Sequence, residues 1–303
     1  MKVGFIGAGK AGCSLGKYLS NSYCRNLNSN ETDRDIKPAN RSNEDLTITG
    51  YYSLIEEEAE WAAAFTKSQM FNTANDVIAA NDSIIISTPD GAIRKVWDSL
   101  DKELIKGRII CHLSGSLSSD VFSGIEESGG YPISIHPLFA FSDKESAYKQ
   151  LDNVCFTLEG HPYAVSAWKE ILQSCGNEVV TIDKEKKPLY HAAASVLSNH
   201  VVAILDTGYK MLKSCGFSEE QARRYTESLV MKNVEHVIKD GTVAALTGPI
   251  ERNDIGTVKK HLDVLDDDKK QLYKMCGRVL VDISKEKNVH RDYTELTEIF
   301  NRI

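Results

Sequence analysis

Gly7-Ala8-Gly9-Lys10-Ala11-Gly12 is a G-x-G-x-x-G run placed directly after an apolar strand-like segment and at the head of a stretch with helical spacing. In that context each glycine has a steric reason. Gly7 permits a tight turn, Gly9 lets the backbone approach a diphosphate with no Cβ in the way, and Gly12 lets the helix pack closely on the strand. The diphosphate would rest on the helix N-terminus, where free N–H groups and the dipole favour an anion. The next strand of the pattern ends Tyr51-Tyr52-Ser53, with no carboxylate before Glu56. A carboxylate there would bond the ribose hydroxyls of NAD and repel a 2′-phosphate. Its absence, with Ser53 as a donor, points to NADP, and NAD is the alternative. Arg25, Arg34, Lys37 and Arg41 could fold over the same phosphate, although a solvated polar loop is the simpler account of them.

Three later strand ends carry polar groups that should face one crevice. Ser87-Thr88-Pro89-Asp90 follows the first, so Thr88, Pro89 and Asp90 should border the nicotinamide ribose, with Pro89 also suited to start a helix. His112-Leu113-Ser114-Gly115-Ser116 follows the second, and Ser114 is placed to touch the nicotinamide or a substrate oxygen. Ser134-Ile135-His136-Pro137 follows the third, and His136 titrates in a range suited to proton exchange with a hydroxyl, carbonyl or imine. The plainer account of His136 is a bond to a carbonyl at a turn fixed by Pro137.

Further on, His191, Ser195 and Asn199 recur every four residues in an otherwise apolar run, with Ser198 beside them. They share one stripe of a helix that reads as largely buried. Buried polar groups need partners, supplied either by a substrate or by internal bonds or a subunit interface. Lys187 and Tyr190 precede the stripe within reach of it, but Lys187 ends the charged run 184–187 and reads as solvated. Arg252, in the turn-rich link 245–254, could grip a carboxylate with two parallel hydrogen bonds, a surface arginine being the alternative. Asp254 reads as a helix cap and His261 as structural. No His, Asp, Glu or Cys spacing resembles a metal site.

The elements that must position these residues alternate as βα units over the first half. Strands are expected at 3–6, 46–52, 83–87, 108–113, 132–135, 154–158 and 178–182, with helices at 11–20, 55–65, after Asp90 and at 161–174. Residues 21–45 lose all periodicity and read as an exposed insertion. Beyond Asp183 helices dominate, at 188–215, 218–240, 254–265, 267–287 and from 293 onward. Ser218 and Gln221 have capping-box spacing, and Gly241 sits at the expected stop. The expected domains are therefore 1–183 and 184–303.

The 303 residues are 42% hydrophobic and 26% charged, enough for two cores and too polar for a membrane protein. A formal net charge of -7 argues against a nucleic-acid surface. Seven cysteines without a Cys-x-x-Cys pair suggest neither a zinc cage nor a disulfide framework, so a reducing cytoplasm is expected. The N-terminus lacks the long apolar region of a secretory signal, and no segment reads as a membrane span.

With these segments assembled, the chain resembles the two-domain oxidoreductases of the 6-phosphogluconate dehydrogenase-like superfamily, which includes pyrroline-5-carboxylate reductase and prephenate dehydrogenase. More narrowly, HLSGSLSSDVF, SIHPLFAFSD, YHAAASVLSNH and ALTGPIERND are similar to segments of a family of Rossmann-like NADP oxidoreductases with a C-terminal domain of unknown function. The resemblance implies an α/β Rossmann domain with a mostly parallel, doubly wound sheet, followed by an all-α domain that commonly builds a homodimer. It also implies hydride exchange between NADP and a small, anionic metabolite in the interdomain cleft. The His136-Pro137 pair is similar to the His-Pro segment of prephenate dehydrogenases, whose histidine contacts the substrate hydroxyl. In this reading His136 exchanges the proton, Ser114, His191 and Asn199 position the substrate, and Arg252 holds its carboxylate. The rival reading is a dinucleotide-binding regulatory protein without chemistry, in which His136 and His191 are tied up by internal bonds.

Overall fold

The computed structural model describes residues 1–28 and 46–301, which fall into two compact units, Met1–Ser198 and Asn199–Ile303. Arg34, Lys37 and Arg41 lie outside the described residues. The first unit is built on an eight-stranded sheet of strands β1 (Lys2–Ile6), β2 (Thr47–Tyr52), β3 (Gln69–Met70), β4 (Ser83–Ile86), β5 (Ile109–His112), β6 (Tyr131–Pro137), β7 (Phe156–Gly160) and β8 (Val179–Thr181). Their order is β3-β2-β1-β4-β5-β6-β7-β8. All neighbours are parallel except β6 and β7. Strand β4 reads SIII and is buried along its whole length, as a parallel strand covered on both faces must be.

Two apolar layers cover the sheet. One joins Leu15, Leu19, Ala59 and Trp168, from helices α1 (Lys10–Asn28), α2 (Glu56–Thr66) and α5 (Pro162–Ser174), to Phe5, Ile133 and Phe156. The other joins Val77, Ile93 and Trp97, from α3 (Ala74–Ala80) and α4 (Asp90–Ser99), to Ile84, Ile86 and Ile110. The chain thus winds to both faces, and the reversal of strand order falls between β1 and β4. Ligand crevices of doubly wound sheets open at that point, beyond the carboxyl ends of the strands.

Several elements depart from expectation for local reasons. Helix α1 runs on to Asn28 instead of stopping at residue 20, because residues 21–28 contain no glycine or proline and each further residue closes one more bond of an already nucleated helix. Strand β3 and helix α3 stand where no element is expected, and Thr73 and Asp76 close a reciprocal capping box at the start of α3. The expected single helix 188–215 is two, α6 (Lys187–Leu197) and α7 (Asn199–Ser214). They part at Ser198, whose φ of -119° and ψ of -74° depart from regular helical values. Helix α6 is also not buried as a whole: Leu189 and Leu197 are 74% and 77% exposed, and Lys187 is its buried residue.

The second unit contains α7, α8 (Glu219–Ala245), α9 (Ile255–Val264), α10 (Asp267–Lys287) and α11 (Thr294–Asn301). The Ser218–Gln221 capping box forms, and Gly241 interrupts α8 with φ 83°, in the left-handed region that favours glycine. Asp254 caps α9 by accepting from the Thr257 N–H at 3.0 Å. Val258, Val281, Leu296 and Phe300 form this unit's core, with Gly277 admitting the Phe300 ring. No helix among the described residues is long and apolar enough to cross a membrane.

Candidate functional site

The glycine loop joins β1 to α1 as its spacing requires. Gly7 has φ 105°, and its N–H donates to the Tyr52 carbonyl at 2.7 Å, fixing the turn against β2. A Cβ on Gly12 would collide with the Ser87 side chain, so only glycine lets α1 lie this close to the end of β4. Ser87 returns the contact by donating to the Gly7 carbonyl at 2.9 Å. A Cβ on Gly9 would meet nothing nearer than the Ser87 carbonyl oxygen at 3.9 Å. Gly9 therefore borders open space at the helix N-terminus, which fits the approach of a diphosphate. Ala8 is buried under the loop, and the neighbouring Lys10 is exposed. Ala11 lies in the first turn of α1, where backbone N–H groups lack an intrahelical acceptor.

At the end of β2, the Ser53 hydroxyl accepts from the Ile55 N–H at 3.3 Å. Glu56, Glu57 and Glu58 follow in the first turn of α2. At the end of β4, the Thr88 hydroxyl is buried without a hydrogen-bond partner among the described residues, a costly state that a bound polar group would relieve. Pro89 is the N-cap of α4, one position ahead of the helical start expected for it. Asp90 opens α4 and accepts from the hydroxyls of Ser114 at 2.6 Å and Ser116 at 3.1 Å.

These two serines belong to the loop after β5, which is bonded throughout. The Ser114 hydroxyl also accepts from the N–H groups of Ser116 at 3.2 Å and Leu117 at 3.0 Å. The Ser114 N–H donates to His112 Nδ1 at 3.2 Å, and His112 Nε2 lies 3.2 Å from the Ser118 carbonyl. His112 is consequently neutral with the proton on Nε2. Ser114 is 4% exposed and holds the loop in shape.

Gly115, at the turn of that loop, is the meeting point of two imidazoles. A Cβ there would stand 2.7 Å from His191 Nδ1 and 2.8 Å from His136 Nε2. The two rings are nearly perpendicular, with centroids 6.1 Å apart. His136 Nδ1 lies 2.8 Å from the Tyr190 hydroxyl, while His191 Nδ1 is buried with no partner among the described residues. The carbonyl bond considered for His136 at the Pro137 turn is replaced by this tyrosine.

Lys187 corrects the expectation of a solvated side chain. It is 1% exposed and donates to the Ser134 hydroxyl at 2.6 Å, and more weakly to the Ser114 carbonyl at 3.4 Å. Burial lowers its ammonium to about 8, against the opposing attraction of Glu159 and Asp90. Burial first and the Lys187 charge second bring both His112 and His136 down to about 4. Glu159 is itself buried and accepts from the Ser119 N–H at 2.8 Å and the Ser119 hydroxyl at 2.7 Å.

The first unit thus brings together Thr88, Asp90, Ser114, His136 and His191 from the expected set, and adds Gly115, Lys187 and Tyr190. Asn199 and Arg252 lie in the second unit, where Arg252 is exposed, and this cluster is assembled without them. Lys187 could have been found by its spacing, since 187, 191, 195 and 199 continue one four-residue stripe. His261 Nδ1 lies 2.9 Å from the Tyr273 hydroxyl. Among the described residues no group of three or more His, Cys, Asp or Glu is placed to hold a metal.

Residues 53–137 match the model of a Rossmann-like domain, and residues 154–279 match that of a domain of unknown function, DUF2520. No curated protein matches the chain. Among solved structures, a protein from Thermotoga maritima is similar with TM-score 0.70 at 22% identity, over 94% of this chain and 99% of that one. A protein from Bacteroides fragilis described as a candidate NADP oxidoreductase gives 0.65 at 20%, over 93% and 98%. Plasmodium falciparum pyrroline carboxylate reductase, solved with NADP bound, gives 0.57 at 16%, over 98% of each chain. At such identities these structures speak for the fold alone. The chain thus carries a match to a Rossmann-like domain followed by a match to DUF2520.

Proposed function

We propose that the chain is an NADP-preferring oxidoreductase acting on a small, anionic metabolite. The observation that carries this reading is the convergence of an open glycine loop and a two-imidazole cluster at the carboxyl ends of β1, β5 and β6, beside the reversal of strand order. Hydride donation or uptake would be the contribution of a bound nicotinamide. The chain's own part is to seat the diphosphate at Gly9 and the first turn of α1, and to offer the Thr88 hydroxyl to the adjoining ribose. His136 Nε2 meets the reacting heteroatom, across which the accompanying proton is exchanged. The rival reading expects both histidines to be tied up internally. His136 Nδ1 is held by Tyr190, but His191 Nδ1 is buried without a partner among the described residues, which speaks against the rival.

The preference for NADP over NAD rests on Ser53 in place of a carboxylate at the end of β2, and the NADP named for the structural neighbours supports it. Thermal unfolding with each reduced nucleotide tests it. A ligand at a hundred times its Kd stabilises the native state by about 2.7 kcal/mol. NADPH is expected to raise Tm by several degrees and NADH by less at equal concentration. An equal rise with NADH would remove the preference, a larger one would reverse it, and no rise with either would remove the dinucleotide.

The reading includes pairing with a second copy of the chain through the helical unit. Val202, Leu229 and Ile238 on α7 and α8 are 67%, 73% and 80% exposed, a density of apolar surface that lone soluble units seldom leave uncovered. Sedimentation at micromolar concentration is expected to give twice the mass of one chain, and a monomer would dismiss the pairing.

A further inference from the structure

His136 has two ring nitrogens, and the structure distinguishes them. Nδ1 faces Tyr190, whose ring stands at 87° to the imidazole with the hydroxyl 2.8 Å away. Nε2 faces the other way, over Gly115 and towards the buried, unpartnered Nδ1 of His191. Both nitrogens lie within 2.8 Å of the single point where a Gly115 Cβ would stand, so they are close enough for one oxygen or nitrogen atom to bridge them. The absent side chain of Gly115 is what leaves both rings room to converge.

We propose that Tyr190 is the positioning residue of this site: its hydroxyl holds His136 Nδ1, so that Nε2–H is presented beside His191 to receive a carbonyl, imine or hydroxyl heteroatom of the substrate. A phenol is a better donor than an imidazole N–H, and an imidazole nitrogen a better acceptor than a phenol oxygen, so Tyr190 donates and His136 accepts. The proton of the neutral ring is thereby confined to Nε2. His136 then meets the substrate as a neutral hydrogen-bond donor that polarises a C=O or C=N bond; the proton that leaves Nε2 for the heteroatom is replaced at Nδ1 by that of the Tyr190 hydroxyl, which solvent restores. Tyr190 comes from α6, three residues after the buried Lys187 and one before His191, so a single turn of helix fixes the bond and both neighbours. This inference rests on the reading of His136 as the group that meets the reacting atom.

The test is nitrogen-detected NMR of the histidine-labelled full chain at pH 7, with the His136 signals identified by their loss in His136→Asn. The wild type is expected to show one tautomer, with a protonated, pyrrole-type Nε2 and an unprotonated, pyridine-type Nδ1. Tyr190→Phe removes one oxygen atom, and the two His136 nitrogens are expected to move towards a common averaged position. Unchanged His136 signals in Tyr190→Phe would overturn the proposal. Gly115→Ala serves as a second variant and is expected to displace the signals of both His136 and His191, whereas signals left in place would show that the rings do not converge. The two ideas fail separately. An altered spectrum in Tyr190→Phe combined with undiminished hydride transfer in His136→Asn would keep the positioning and discard the reading, while an unchanged spectrum with slowed transfer in His136→Asn would discard Tyr190 alone.

Discussion

Lys187→Met is expected to raise the protonation midpoints of His112 and His136 from about 4 towards the ordinary 6.5, while leaving the protein as stable as the wild type or more so. The lysine places a buried positive charge whose hydrogen-bond partners are the neutral Ser134 hydroxyl and Ser114 carbonyl. A like charge at close range disfavours a second one by roughly one pKa unit or more, so its removal lets each histidine accept a proton at higher pH. Methionine fills a similar volume without desolvating an ammonium, and replacing a buried charge by an apolar group of similar shape is often neutral or stabilising. Ser134 still donates to the Ser114 carbonyl at 3.1 Å, so the two strand ends remain tied.

The pH dependence has a definite sign. The folded-state ammonium titrates at about 8 and the unfolded one at 10.5, so the unfolded chain binds more protons between these values. Relative to Lys187→Met, the wild type should therefore gain stability as pH rises from about 8 to 10.5 and lose that gain on return. Urea unfolding of the two proteins at pH 7 and pH 10 measures the difference. A variant several kcal/mol less stable at both values would mean that the lysine serves to hold Ser134 and Ser114 and has no electrostatic task.

The contrast between Lys187 and the glycine loop shows which parts of the site the sequence could convey. Gly7 and Gly12 were legible because each answers a local steric demand, a left-handed φ in one case and contact with Ser87 in the other. His136 was legible because a strand end followed by proline fixes where the residue stands. Lys187 was harder to read, because burial is a property of the packed unit, and the charged run that the lysine ends masks the four-residue stripe it shares with His191. The apolar face of α6 misled in the same way. Leucine and valine imply burial on average, yet here Leu189 and Leu197 point outward while the polar stripe Lys187–His191 faces the sheet. Strand β3, two residues long, was too short for any period to register. The division after Ser198 places Asn199 in a different unit from His191 despite their shared spacing, a break that no residue type in the run 188–215 announces.

Acid should destabilise the fold well above the range in which its carboxylates titrate. His112 is fully buried and held at about 4, against an ordinary 6.5, by burial and by the Lys187 charge. The unfolded chain therefore binds more protons between these values, so this contribution to stability is complete above pH 6.5 and is lost progressively as pH falls to about 4. For His112 alone the loss is on the order of 3 kcal/mol. Its geometry gives the same sign. Protonating Nδ1 would leave the Ser114 N–H without its acceptor, inside the loop that carries Gly115. The folded state thus resists the proton twice, through an unsolvated charge and through a broken bond. His136 adds a contribution of the same sign over the same window. Unfolding free energies measured from pH 7 down to pH 4 should fall steeply, and in His112→Gln the slope should drop by about the share of one histidine, since one fewer group takes up a proton on unfolding. An unaltered slope in His112→Gln would mean that His112 takes up its proton in the folded state no later than in the unfolded chain, and the lowered titration of this buried ring would have to be withdrawn.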